Sequence, residues 1–151
     1  RDLLERVGDD VPNIMRYKSH ADAGSMLNTP PTFAWYAAGL VFAWLKRNGG
    51  LSGIGAVNQR KADKLYAAID GSDFYANPVA PAYRSWMNIP FTLANPELDA
   101  DFLAQSADAG LTNLKGHRSV GGMRASIYNA VPEAAVDALI AFMADFEQRN
   151  A

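Results

Sequence analysis

Two arginines and a histidine flank a Gly-Gly turn in the stretch Gly116-His117-Arg118-Ser119-Val120-Gly121-Gly122-Met123-Arg124. Guanidinium and imidazole donors beside flexible backbone suit a small, multiply anionic ligand. Met123, Ala125 and Ile127 alternate with Arg124, Ser126 and Tyr128, the period of a strand with one apolar and one polar face. Such a strand holds the Arg124 guanidinium rigidly, and its paired donors match a carboxylate better than an ammonium does. His117 and Arg118 project from the loop ahead of it, where they suit a phosphate or a second carboxylate. The plainer reading of the same residues is a surface ion pair at Arg124 and a turn cap at His117.

A second candidate lies far upstream, at Asn28-Thr29-Pro30-Pro31. Thr29 reads as a helix N-cap, with Pro30 or Pro31 at the first helical position, where a missing N–H matters little. The unpaired N–H groups and positive dipole end of a helix start attract phosphate. Simple capping is the plainer account of this motif.

The elements that must position these residues follow from periodicity and punctuation. A short helix is expected over 1–7, then an extended, loop-like connection over 12–24 that leaves His20 a solvated imidazole. The helix opened by the Thr29 cap runs to about Asn48 and stops at Gly49-Gly50. Phe33, Trp35, Tyr36, Leu40, Val41, Phe42, Trp44 and Leu45 make it apolar on most sides, so it is expected to be covered by further chain or by a partner subunit. A second helix is expected over 56–69, with Val57, Leu65 and Ile69 inward and Arg60, Lys61, Asp63 and Lys64 on a solvated face. Residues 86–93 read as a strand that Pro90 demotes to an edge or a bulge. A helix over 98–109 is closed by Gly110, and 111–115 and 123–128 read as two short strands. The last helix begins near Pro132-Glu133 and docks through Val136, Leu139, Ile140, Met143 and Phe146. The fold class expected is α/β: a long connecting helix, then a small α/β domain from about Gly71 onward whose short sheet is packed by helices.

Bulk properties narrow the function. The 151 residues are 49% hydrophobic and 20% charged, an ordinary globular balance. A net charge of −2, without a dense basic stripe, gives no support to a nucleic-acid partner. There is no cysteine, which removes disulfides, thiolate zinc sites and Cys nucleophiles and fits a reducing compartment. No apolar run reaches the roughly 18 residues a membrane span needs. The two histidines are far apart, so no metal site is expected. Neither a Ser-His-Asp order nor a glycine-rich nucleotide loop is present. The N-terminus, Arg1-Asp2-Leu3-Leu4, reads like a chain entered part-way through.

Taken together, SMLNTPPTFAWY (25–36) and KGHRSVGGMRASIYNA (115–130) resemble the phosphoserine aminotransferase family, class-V transferases of fold type I that use pyridoxal phosphate. WLKRNGG (44–50), SDFY (72–75) and MNIPF (87–91) also look like that family, so the resemblance covers essentially the whole chain. It implies a cytoplasmic homodimer with active sites at the subunit interface. Asn28 and Thr29 match residues that reach the cofactor phosphate of the neighbouring subunit. Arg124 matches the arginine that clamps the substrate α-carboxylate. His117 and Arg118 match residues near the distal phosphate or side-chain carboxylate. The reaction implied is amino transfer between L-glutamate and 3-phosphohydroxypyruvate, giving O-phospho-L-serine and 2-oxoglutarate. A related phosphorylated oxo-acid of pyridoxine synthesis is a second implied substrate.

One departure is large. The family holds its cofactor as a Schiff base on a lysine upstream of these motifs, and Lys18, Lys46, Lys61, Lys64 and Lys115 do not lie in that lysine's motif. The chain is therefore expected to be the C-terminal part of such an enzyme, with no catalytic lysine, no covalently bound cofactor and no activity alone. Residues 1–70 are expected to be the tail of the large domain with the long helix, and 71–151 the small domain. The alternative is a non-catalytic α/β module that binds a small phosphorylated or dicarboxylic metabolite. It accounts for the arginines but not for the apolar helix.

Overall fold

A computed structural model of the chain describes residues 2–8 and 10–150, without the side chains of residues 2 and 3. It separates into two compact units that divide between Arg47 and Asn48. The second unit thus starts well before the boundary at residue 71 expected from sequence, because the helix before that point belongs to its core.

In the first unit, 3-10 turns at Asp2–Glu5 and Asn13–Met15 precede helix α1 (Tyr17–Asp22) and helix α2 (Thr32–Arg47). The expected helix at the N-terminus is a single 3-10 turn, and Arg1 lies outside the described residues. The connection expected to be extended over 12–24 is largely helical instead. Local polar bonds replace apolar periodicity there: Arg16 Nε donates to Val11 O, and His20 Nε2 donates to Ile14 O at 2.8 Å. Lys18 pairs with Glu5 and Asp22 at 3.3 and 3.4 Å. His20 is therefore a half-buried helical residue and not a loop imidazole.

Helix α2 begins at Thr32, three residues after the expected cap. A residue before proline is driven out of the helical region, so Thr29 and Pro30 stay non-helical ahead of Pro30 and Pro31. The carbonyl of Pro31 accepts the first helical bond, from Trp35 N–H at 3.1 Å. No residue of α2 is buried, and Phe33 remains 82% exposed. Phe33, Trp35, Tyr36, Leu40, Val41 and Phe42 are exposed among the described residues, while Trp44 and Leu45 are half-buried.

The second unit opens with helix α3 (Gly50–Asp70), entered through Gly49 at φ 86°. It starts six residues ahead of expectation. Gly50, Gly53 and Gly55 weaken the helical signal, while burial of Ile54 and Asn58 holds the first turns in place. Strands β1 (Tyr75–Ala76), β2 (Asn88–Leu93) and β3 (Met123–Ser126) form an antiparallel sheet in the order β1-β2-β3. Helix α4 (Asp99–Asp108) follows a 3-10 turn at Pro96–Leu98, and helix α5 (Glu133–Asn150) closes the unit.

The register sorts the sheet into two faces. Ile89 opposite Ala125 and Phe91 opposite Met123 are buried, whereas Asn88 opposite Ser126 and Pro90 opposite Arg124 form the other, more open face. Helices α3, α4 and α5 cover the buried face through one continuous core. Phe102 sits at its centre, with Tyr75, Phe91, Phe142 and Phe146 edge-on at 5.0 to 6.2 Å. The small α/β domain is thus a two-layer arrangement with helices on one side only.

Two strand expectations need correction. Pro90 occupies the middle strand and not an edge. Arg124 N–H donates away from β2, to Leu114 O at 2.7 Å, so the Pro90–Arg124 pair exchanges no main-chain bonds. Pro90 therefore turns its backbone toward β1, which pairs only with Thr92 and Leu93 and never reaches it. The Asn77 side chain takes the Pro90 carbonyl there at 2.7 Å, and no donor is missed. The strand expected over 111–115 is irregular, with a single bridge from Lys115 to Met123. Asn113, at φ 63°, breaks the extended run.

Candidate functional site

The open sheet face is built from Asn88 and Pro90 on β2 and Arg124 and Ser126 on β3, with Tyr128 just beyond. Asn88 Oδ1 accepts from Ser126 Oγ at 3.1 Å and from Tyr128 Oη at 3.3 Å. Both hydroxyls fix the orientation of the Asn88 amide, and its NH2 group is left without a partner among the described residues. Arg124 stands beside this network, directly across from the Pro90 ring. Among the described residues its guanidinium has no carboxylate partner and its buried Nε no hydrogen-bond acceptor. The surface ion pair that sequence alone left open is therefore not what Arg124 makes. A buried cationic donor without an acceptor is unfavourable unless a ligand completes it.

The loop ahead of β3 presents the remaining cations. Gly116 N–H donates to Gly122 O at 2.8 Å, and the N–H groups of Val120 and Gly121 both donate to His117 O at 2.8 Å. His117 Nδ1 lies 2.7 Å from Ser119 Oγ and 3.3 Å from Ser119 N. The backbone N–H can only donate, so Nδ1 is an acceptor and the ring proton sits on Nε2. That Nε2–H is free, and Arg118 beside it is exposed and unpaired among the described residues. His117, Arg118 and Arg124 thus lie in one short segment of the second unit, each with an uncommitted donor.

Asn28 and Thr29 belong to the first unit. Both are exposed, and their side chains make no bond among the described residues. They precede α2, which starts at Thr32, and Thr29 does not cap it. An amide and a hydroxyl remain there as neutral donors of the kind that suit a phosphate.

Lys61 overturns its sequence reading. Instead of lying on a solvated face it is fully buried, and Nζ donates to Ile127 O, Tyr128 O and Val131 O at 3.1, 2.9 and 2.9 Å. Desolvation pushes its pKa below the ordinary lysine value, partly offset by Glu133. The signal was present: Lys61 is four residues before Leu65 and eight before Ile69, on the stripe that faces the core. Arg60 and Lys64 do stay at the surface, where they pair with Glu133 and Asp137 on α5. Asn88, too, was missed as a site residue; only its register opposite Ser126 reveals it.

A cleft of about 360 Å3 opens between 110–114, β3 and α5, lined by Leu111, Leu114, Val136 and Leu139 among others. It contains no charged side chain, so it does not compete as an anion site. Among the described residues no cluster of His, Asp or Glu could hold a metal ion. Nor is any helix long and apolar enough to cross a membrane.

The model of the aminotransferase class-V family matches residues 4–139. The chain belongs to that family. It is 61% identical over 150 residues to a phosphoserine aminotransferase of Hahella chejuensis, covering 99% of this chain and 42% of the relative. The solved phosphoserine aminotransferase from Bacillus circulans subsp. alkalophilus superposes with a TM-score of 0.90 at 43% identity, over 99% of this chain and 42% of that one. A pyridoxal-phosphate-bound phosphoserine aminotransferase from Trichomonas vaginalis gives 0.81 at 42% identity, over 91% and 40%. The chain therefore spans about two-fifths of the length of the class-V relatives it matches. Within that span its α/β architecture is that of a C-terminal class-V segment.

Proposed function

We propose that the chain supplies the substrate-recognition portion of a phosphoserine aminotransferase, which moves the amino group between L-glutamate and 3-phosphohydroxypyruvate. The likeness to enzymes of that name over nearly every residue supports the choice of reaction. The orphaned Arg124 Nε is the observation that carries the site. Its guanidinium forks onto the α-carboxylate of the amino-acid substrate, supplying the acceptor that the described residues do not. Asn88, oriented by Ser126 and Tyr128, offers a second donor on the same face. His117 Nε2–H and the Arg118 guanidinium take the phosphate or carboxylate at the substrate's far end. The Ser126 and Tyr128 bonds to Asn88 are in place without substrate, so binding there need not rearrange that donor.

Bound pyridoxal phosphate supplies the electron sink that such a transfer requires. Asn28 and Thr29 are the residues of this chain that would hold it, through its phosphate, with the cofactor belonging to a partner subunit of a homodimer. No lysine of this chain is assigned to it: none of the five lies in the Schiff-base motif of the family it resembles, and Lys18, Lys61 and Lys64 make other contacts. The related phosphorylated oxo-acid of pyridoxine synthesis and a cytoplasmic site of action are part of the same reading.

The test is an assay of the complete protein with L-glutamate and 3-phosphohydroxypyruvate. Formation of phosphoserine and 2-oxoglutarate is expected, with residues 1–151 alone giving none. No transfer by the complete protein would overturn the reading.

A further inference from the structure

Lys61 is the one fully buried charged residue among those described, and nothing in the proposed chemistry uses it. It sits on α3, remote in sequence from the anion site, yet its three bonds all fall on the chain as it leaves β3. Three N–H donors meet the carbonyls of Ile127, Tyr128 and Val131, which satisfies an ammonium completely. Asn58, one turn earlier on the same helix, adds a bond from Nδ2 to Asn129 Oδ1 at 2.8 Å. Residues 127–131 are thus gripped from below by α3.

That segment carries Tyr128, whose hydroxyl reaches Asn88 Oδ1, the atom that Ser126 also holds. Asn88 in turn shares the open face with Arg124. An unbroken chain of contacts therefore runs from a buried ammonium to the donors at the anion site. An apolar side chain of similar length would pack α3 as well, but would leave three inward-facing carbonyls without donors. The choice of lysine has a positional consequence that packing alone does not explain.

We infer that Lys61 is a positioning residue: its ammonium fixes the course of 127–131, and so the placement of Tyr128 and Asn88 beside the carboxylate-binding Arg124. The inference rests on the reading of Arg124 given above. Removing the ammonium lets the turn relax, so Asn88 loses one of its two anchors. Misplacement of a binding donor weakens the grip on substrate, and it appears in KM rather than in kcat.

The experiment is steady-state kinetics of the complete enzyme carrying Lys61→Met, with Tyr128→Phe and Arg124→Lys alongside and thermal unfolding of each. Lys61→Met is expected to raise KM for L-glutamate about 10-fold with kcat per bound cofactor changed far less. Tyr128→Phe is expected to raise it in the same direction with little change in Tm, and the double variant to add little to Lys61→Met alone. A lowered Tm with unchanged KM would assign Lys61 to stability only and overturn the inference. If Lys61→Met does not fold, Lys61→Gln and Tyr128→Phe carry the same test, and unchanged KM in both overturns it. Arg124→Lys separates the two ideas. If it leaves KM and kcat untouched, the carboxylate reading itself has failed. If it impairs the enzyme while the Lys61 and Tyr128 variants do not, only the positioning role has.

Discussion

Residues of one charge type meet very different fates in this chain, and each fate has a physical cause. Arg84 forks onto both oxygens of Asp70 while its guanidinium lies 4.6 Å from the centre of the Tyr66 ring. That contact holds the Asp70 carboxyl below the usual carboxylate range. A group depressed in the folded state contributes stability above its unfolded pKa, and the contribution is lost as pH falls through the folded value. Unfolding free energy should therefore drop on acidification below about pH 4, and Asp70→Asn should flatten that acid limb. Asp70 is exposed while Arg84 is half-buried, so solvent screens the carboxylate and the difference in urea unfolding near neutral pH should be about 1 kcal/mol. An acid limb identical in both proteins would contradict the assignment. Arg124 was readable from sequence because alternation placed it on a polar face. Lys61 was legible only in part: its spacing from Leu65 and Ile69 put it on the core stripe, charge argued for solvent, and three distant carbonyls decide between them.

At the scale of elements, the helices with apolar stripes were legible, and the last helix buries the very Val136, Leu139, Met143 and Phe146 that its spacing selects. What escaped were elements held by single polar contacts or by distant partners. Helix α1 rests on side-chain bonds, β1 is only a two-residue strand, and the position of β2 depends on where β1 stops. The loop over 116–122 is the element on which the site depends most. A Cβ at Gly116 would overlap Gly121 O and come within 2.7 Å of Gly122 O. A Cβ at Gly122, held at φ 59°, would meet Phe91 O at 2.8 Å. Both contacts are with backbone, which cannot rotate aside. Gly116→Ala is expected to destabilise the chain by about 2 kcal/mol or more in urea unfolding, since the loop must open to admit the methyl group. Stability equal to the parent would show that the loop is not closed as described.

For the whole molecule, stability and function reside in different places. The second unit has a single aromatic-centred core, and Phe102→Ala at its middle should cost about 3–5 kcal/mol by denaturant titration. A loss under 1 kcal/mol would mean that the aromatic cluster is not the keystone it looks. The open sheet face contributes little to that core, yet holds Arg124, whose Nε has no acceptor among the described residues. Six large apolar residues of α2, Phe33 foremost, are likewise exposed among the described residues, in a chain that spans two-fifths of its relatives' length. Periodicity marks such a helix as apolar on most sides without naming what would cover it. The central claim is that Arg124 forks onto the substrate α-carboxylate. Steady-state kinetics of Arg124→Lys in the complete enzyme test it most directly. A point charge should replace the fork poorly, lowering kcat/KM for L-glutamate about 100-fold while the absorbance of bound cofactor is unchanged. An unaltered kcat/KM would contradict it.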